Sequence, residues 1–233
     1  MPWFSGPRRP SEVAPPPGHR SPALTAILDD LPPGSRHAVL DLGPPVAGNI
    51  KMLSALECRV RVADILRSLS AEPVESRRPE AMGALYERLL PLEPGARFDA
   101  VLAWDVFDYM RPDQVSSLMA RLTPACRPGA LALVLVSTRA QIPARPRRYR
   151  IVDRESLAYE GPSQPACPCP RYGQNDLARM MPGFSVRRSF LLRSGIQEYL
   201  LARGAGEGAA RGRDTGVAPS APAGRSWYRR SGL

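Results

Sequence analysis

Apolar and polar positions along this chain fall into short runs whose period switches repeatedly between strand-like and helix-like. Residues 38–42 form a compact apolar run of the kind buried in a parallel sheet. Residues 47–56 follow with apolar side chains at Ile50, Leu53 and Leu56, a helical spacing. A second strand is expected at 59–63, then helix over 65–90, broken near Pro73 and Pro79, with Met82, Leu85, Leu89 and Leu90 inward. Residues 98–104 read as the next strand, 112–122 as a helix, and 130–136 as the most apolar strand of all. A short helix at 174–181 stops at Pro182-Gly183, and 184–192 with 196–202 reads as a hairpin turning through Arg193-Ser-Gly195. Before all of these, Pro22 to Leu31 has the pattern of a short helix capped by Ser21.

Strands alternating with helices as far as residue 136 require a parallel sheet with right-handed crossovers, and the closing hairpin adds an antiparallel strand. The expected fold class is therefore α/β: a Rossmann-like, doubly wound, mostly parallel sheet ending in an antiparallel β-hairpin, in three αβα layers. The 233 residues hold 27 prolines and 19 glycines, too many for continuous packing, and much of the excess lies at the ends. The expected organisation is a Pro-rich, largely disordered segment at 1–33, one domain at 34–203, and a disordered basic tail at 204–233. Within the domain, 137–172 is an Arg/Pro-rich insert that reads either as a disordered, Arg-rich surface loop or, being long for an idle connection, as a lid or substrate-recognition element.

The formal net charge is +10, carried almost wholly by arginine, with Lys51 the only lysine. Six arginines fall between Arg139 and Arg154 against one acid, Asp153, and six more follow from Arg203. Such patches attract anions, whether nucleic acid, acidic protein or an anionic small substrate, although no recognised nucleic-acid motif accompanies them. No apolar run approaches a bilayer span and the N-terminus has no signal-like core, so a cytoplasmic protein with no membrane partner is expected. Cys58 and Cys126 read as buried thiols, and Cys167-Pro-Cys169 as a reduced loop pair. With only His19 and His37 as histidines, no metal site is expected.

The chemistry concentrates in two places. Val39-Leu-Asp-Leu-Gly43, followed by Gly48 and a helix, is a strand running into a glycine turn. About twenty residues on, Arg59-Val-Arg-Val-Ala-Asp64 is a strand tipped by an acid, placed where a carboxylate can hold ribose hydroxyls. Asp41 is either part of that site or a brace for the following helix. Phe98-Asp-Ala-Val-Leu-Ala-Trp-Asp105, with Asp108 and Tyr109 behind it, puts acids and aromatics at the end of a third strand.

Taken in order, Val39–Gly43, Asp64, Phe98–Asp105, Arg127-Pro-Gly-Ala-Leu131 and the hairpin from Gly183-Phe-Ser-Val186 to Gly195-Ile-Gln-Glu-Tyr-Leu200 resemble the motifs of the class I S-adenosylmethionine-dependent methyltransferases. The resemblance covers roughly residues 36–202. It implies S-adenosylmethionine as cofactor, its methionine end over the Gly43 turn and its ribose on Asp64. Asp41, Gly43, Gly48, Asp64, Trp104 and Asp105 would form the cofactor site, with Trp104 and Tyr109 as walls around the sulfonium. The glycine loop departs from the family pattern, since Pro45 stands where a second glycine is usual and removes an N–H donor. A third strand is also hard to place between Asp64 and Phe98.

The function that follows is methyl transfer to a small-molecule or protein acceptor, anionic if the insert's arginines recognise it. The degenerate loop and missing strand motivate an alternative, a catalytically inactive methyltransferase-like domain kept as a binding or scaffold module. A second alternative is nucleic-acid binding through the basic insert and tail.

Overall fold

The computed structural model describes residues 18–31, 35–162 and 164–205. The expected tail lies outside these residues from 206 on, as does the N-terminal segment before 18.

Strand β1 (Gly18–Arg20) leads into helix α1 (Pro22–Asp29). Ser21 is the cap, its Oγ accepting the Leu24 N–H at 3.3 Å, and Pro22 opens the first turn, where a missing N–H costs nothing. Ala23, Leu24, Ile27 and Leu28 are all buried, so residues 18–31 belong to the domain. The expected boundary at 33 is too late because an apolar helical face outweighs the surrounding proline content.

Strand β2 (Ala38–Asp41) is followed by α2 (Ala47–Ala55), then β3 (Arg59–Val62), α3 (Ile65–Ala71) and α4 (Met82–Leu89), with two 3₁₀ turns at the expected prolines. Helix α2 is rotated from its predicted face: Asn49 and Leu53 point inward, and Ile50 is 37% exposed. Strand β4 (Phe98–Trp104), a 3₁₀ turn at Val106–Tyr109, α5 (Pro112–Leu122) and β5 (Cys126–Ser137) follow. Helix α5 starts with Pro112, and Gln114 Oε1 accepts the Arg111 N–H at 2.9 Å.

The insert is ordered. It contributes β6 (Gln141–Ile142), β7 (Arg148–Ile151), β8 (Ser156–Glu160) and β9 (Cys167–Pro168) before α6 (Gln174–Met180), β10 (Phe184–Leu191) and β11 (Ile196–Arg203) close the domain. β7, β8 and β1 make a three-stranded antiparallel sheet of their own in the order β1-β8-β7, and β6 pairs with β9.

The central sheet has six strands in the order β10-β11-β5-β4-β2-β3. β3, β2, β4 and β5 are parallel, and β11 and β10 are antiparallel. Among the described residues no strand lies between β3 and β4. Strand periodicity divides the core into two layers. On β4 and β5, Val101, Ala103, Ala132 and Val134 face the cluster that includes Leu85, Leu118 and Leu177, from α4 to α6. Ala100, Leu102, Trp104, Leu131 and Leu133 face α1, α2 and the insert's Tyr149, Ile151 and Leu157. The three αβα layers are thus present, with the insert sheet forming part of one of them.

Candidate functional site

The order of strands reverses between β2 and β4, and their carboxyl ends meet there, the place where open α/β sheets bind ligands. β2 ends on Asp41, which is 1% exposed. Its Oδ1 accepts the Gly43 N–H at 2.9 Å and the Trp104 Nε1–H at 2.7 Å. Burial pushes the Asp41 carboxyl above its ordinary value, partly offset by these two bonds. Asp41 thus braces the turn, and its contact with Trp104 ties β2 to β4.

Gly43 is required by a close approach. A Cβ built there would lie 2.6 Å from Trp104 Cδ1, so the indole rests directly on the turn. Asp64 caps the N-terminus of α3 in a left-handed conformation with φ 35°, and its N–H donates to the Gly43 carbonyl at 3.2 Å. The structure thus brings Asp41, Gly43, Asp64 and Trp104 into one neighbourhood. Gly48, in the first turn of α2, faces the insert instead: a Cβ built there would lie 3.7 Å from Arg150 Cδ.

Asp105 faces a second space. A cavity of about 30 Å³ at the ends of β4 and β5 is lined by Asp105, Asp108, Tyr109, Arg139, Arg147 and Tyr149 among others. Asp105 Oδ2 accepts the Arg147 N–H at 3.3 Å, and Asp108 Oδ2 accepts the Ser137 N–H at 2.8 Å. Asp108 Oδ1 finds no nitrogen or oxygen donor among the described residues. Burial pushes Asp105 up to about 7 and Asp108 up to about 8. Two carboxyls that hold protons near neutral pH can take up or release one at a reacting group.

Three residues that pattern reading missed complete the site. Tyr149 of β7 stacks on Trp104, ring centroids 5.6 Å apart and planes 3° apart, and both are almost fully buried. Asn49 of α2, fully buried, donates from Nδ2 to the Tyr149 carbonyl at 3.0 Å and accepts the Ile151 N–H on Oδ1 at 2.7 Å. β7 is an edge strand of its sheet, and the Asn49 amide pairs with its free backbone edge as a neighbouring strand would. Arg148 adds a bond from its guanidinium to the Pro45 carbonyl at 3.3 Å. The sequence signal for Asn49 was a polar residue one helical turn before Leu53; nothing local marked Tyr149.

The insert's arginines are partly engaged within the fold. Arg154 bonds to the Leu28 carbonyl and Asp29, both at 3.0 Å, and Arg147 lies over the Tyr159 ring at 4.8 Å. Cys58 and Cys126 are buried free thiols, as expected, and Cys167 and Cys169 are also free. Among the described residues no cluster of three or more His, Cys, Asp or Glu is placed to hold a metal, and no helix is long and apolar enough to cross a membrane.

No family model matches the chain, and no curated protein does. Solved structures that the chain resembles at low identity include methyltransferases. The 1,6-didemethyltoxoflavin-N1-methyltransferase of Burkholderia thailandensis is 18% identical over 79% of this chain and 77% of its own, with a TM-score of 0.44. Magnesium protoporphyrin IX methyltransferase of Synechocystis PCC 6803 is 14% identical over 78% and 80%, with a TM-score of 0.44. TehB of Haemophilus influenzae is 16% identical over 77% and 62%, with a TM-score of 0.42. Four parallel strands and the antiparallel hairpin at the edge give the mostly parallel sheet with a closing hairpin that the sequence implies. The fold is Rossmann-like: a mostly parallel sheet between helical layers, ended by an antiparallel hairpin.

The residues present do not yet fit S-adenosylmethionine as they stand. The Trp104 indole occupies the space over Gly43 where a methionine carboxylate would need the turn's N–H groups, Pro45 supplies none, and the Gly43 N–H is already given to Asp41.

Proposed function

We propose that this chain is an S-adenosylmethionine-dependent methyltransferase acting on a small-molecule or protein acceptor, in a form of the domain in which Trp104 has moved off the Gly43 turn. The observation that carries this reading is the meeting of Asp41, Gly43 and Asp64 at the reversal of the sheet, beside a cavity that holds two proton-retaining carboxyls. When bound, the cofactor supplies an electrophilic methyl group. The chain's part is to hold the ribose hydroxyls on Asp64, exclude water beneath the insert, and manage a proton through Asp105 and Asp108. Arg139 and Arg147 line the same cavity and suit an acceptor that also carries an anionic group.

Calorimetric titration with S-adenosylhomocysteine tests the cofactor assignment. Asp64→Ala is expected to weaken binding by about 1–3 kcal/mol through the lost hydroxyl acceptor; an unchanged affinity removes Asp64 from the site. A second reading, a catalytically inactive binding or scaffold domain, is favoured by the filled space over Gly43. It predicts no heat from S-adenosylhomocysteine with Trp104 and Tyr149 in place or replaced.

A further inference from the structure

The residues that close the site are held with more order than core packing needs. Trp104 ends β4 with φ 48°, a left-handed conformation that a bulky side chain adopts only when its surroundings enforce it, and such strain collects at functional positions. Its enforcers are visible: Asp41 Oδ1 holds the indole N–H at 2.7 Å, and the Tyr149 ring lies parallel against it. Tyr149 is fixed in turn through its own carbonyl, which Asn49 clasps at 3.0 Å. These contacts join the glycine turn, the end of β4, helix α2 and the insert, the four parts that would surround a nucleoside and its methionine tail.

We propose that Trp104 and Tyr149 form an intramolecular plug: the chain's own aromatic pair takes the place over Gly43, and S-adenosylmethionine enters only when strand β7 lifts from α2 and releases the stack. This rests on the cofactor reading above. The consequence is quantitative. If the open form is populated at about one part in a hundred, the apparent dissociation constant rises about a hundredfold over that of the open site. Any change that weakens the Trp104–Tyr149 contact without touching Asp41, Gly43 or Asp64 should recover part of that factor. The insert is then a gate with a defined latch, Asn49 against the edge of β7, and its closed state leaves the neighbouring Asp105 and Asp108 cavity small.

The test uses the full chain with Trp3→Phe and Trp227→Phe, which leaves Trp104 as the single tryptophan of the original three. S-adenosylhomocysteine is titrated into this parent and into its Tyr149→Ala and Tyr149→Leu versions, the latter keeping more buried volume should the former fail to fold. Affinity is read by calorimetry and Trp104 accessibility by acrylamide quenching. The plug predicts at least tenfold tighter binding in the Tyr149 variants, and stronger quenching of the parent's Trp104 once ligand is bound. Equal affinity in parent and variants overturns the plug and leaves the cofactor reading intact. No binding in any of them, although quenching shows Trp104 opened in the variants, overturns the cofactor reading and the plug with it. Should neither variant fold, stopped-flow fluorescence of the parent decides. A rate that saturates with ligand concentration supports prior opening, and one that rises linearly without limit overturns it.

Discussion

Replacing Asn49 with alanine removes the latch, and its cost can be worked from the structure. The side chain is fully buried and makes two bonds to β7, Nδ2 to the Tyr149 carbonyl at 3.0 Å and Oδ1 from the Ile151 N–H at 2.7 Å. Tyr149 is 2% and Ile151 4% exposed, so water does not readily replace the lost amide. Each buried backbone group left without a partner costs about 1–3 kcal/mol, and the two together about 2–6 kcal/mol. For a domain of this size, at about 2–4 °C per kcal/mol, that lowers Tm by roughly 4–24 °C. Urea denaturation followed by circular dichroism is the assay, with the loss seen in the midpoint at an unchanged m-value. Asn49→Asp sets a second buried carboxyl beside Asp41 and against the Tyr149 carbonyl, and should cost at least as much as the alanine variant. A loss below about 0.5 kcal/mol in Asn49→Ala would mean that β7 is held by other contacts, and the reasoning about the edge strand would be wrong.

Further outcomes follow from neighbouring contacts. Gly43→Ala places a methyl 2.6 Å from Trp104 Cδ1 and should destabilise by about 1–3 kcal/mol; a neutral result in denaturant would show that the indole does not rest on the turn. Asp105 and Asp108 titrate at about 7 and about 8 in the fold against an ordinary 3.8. Between roughly pH 4 and 7 the folded state thus keeps protons that the unfolded chain gives up, and stability should fall as pH rises. Asp108→Asn should flatten that slope, and the same slope in parent and variant would exclude Asp108 as its source. Glu198 is fully buried, with Oε1 against His19 Nε2 at 3.2 Å and Oε2 accepting the Ala23 N–H at 3.1 Å. Glu198→Ala should loosen residues 18–23 and speed proteolytic cleavage there, while unchanged cleavage would show that the N-terminal strand is anchored elsewhere.

Most of the central sheet was legible because its strands are buried on both faces or alternate strictly, and because glycine and proline mark the turns between them. The terminal hairpin could be placed to within a residue or so at each end, with Gly195 at φ 80° in its turn. The rotation of α2 was not legible, because Ile50 and Asn49 occupy adjacent positions and only the presence of β7 makes the polar one the buried one. The insert's strands were hidden for a related reason. Arg148-Tyr-Arg-Ile151 alternates as a strand does, but its arginines suggested charge before structure, and the sheet it joins is completed, across β8, by β1, well over a hundred residues away. At the site, Asp41, Gly43 and Asp64 could be named from motif order. That Trp104 would lie on the glycine turn, and that Asp105 would face a different cavity, depends on the direction in which one strand end turns.

A crystal of the full chain grown or soaked with S-adenosylhomocysteine decides whether the turn at Gly43 is a cofactor site. Ligand density is expected over Gly43, its ribose on Asp64, with the Trp104 indole displaced from Asp41 and Tyr149 no longer stacked upon it. Ligand bound elsewhere, or no ligand at saturating concentration with Trp104 still in place and the Tyr149 variants equally empty, would contradict it.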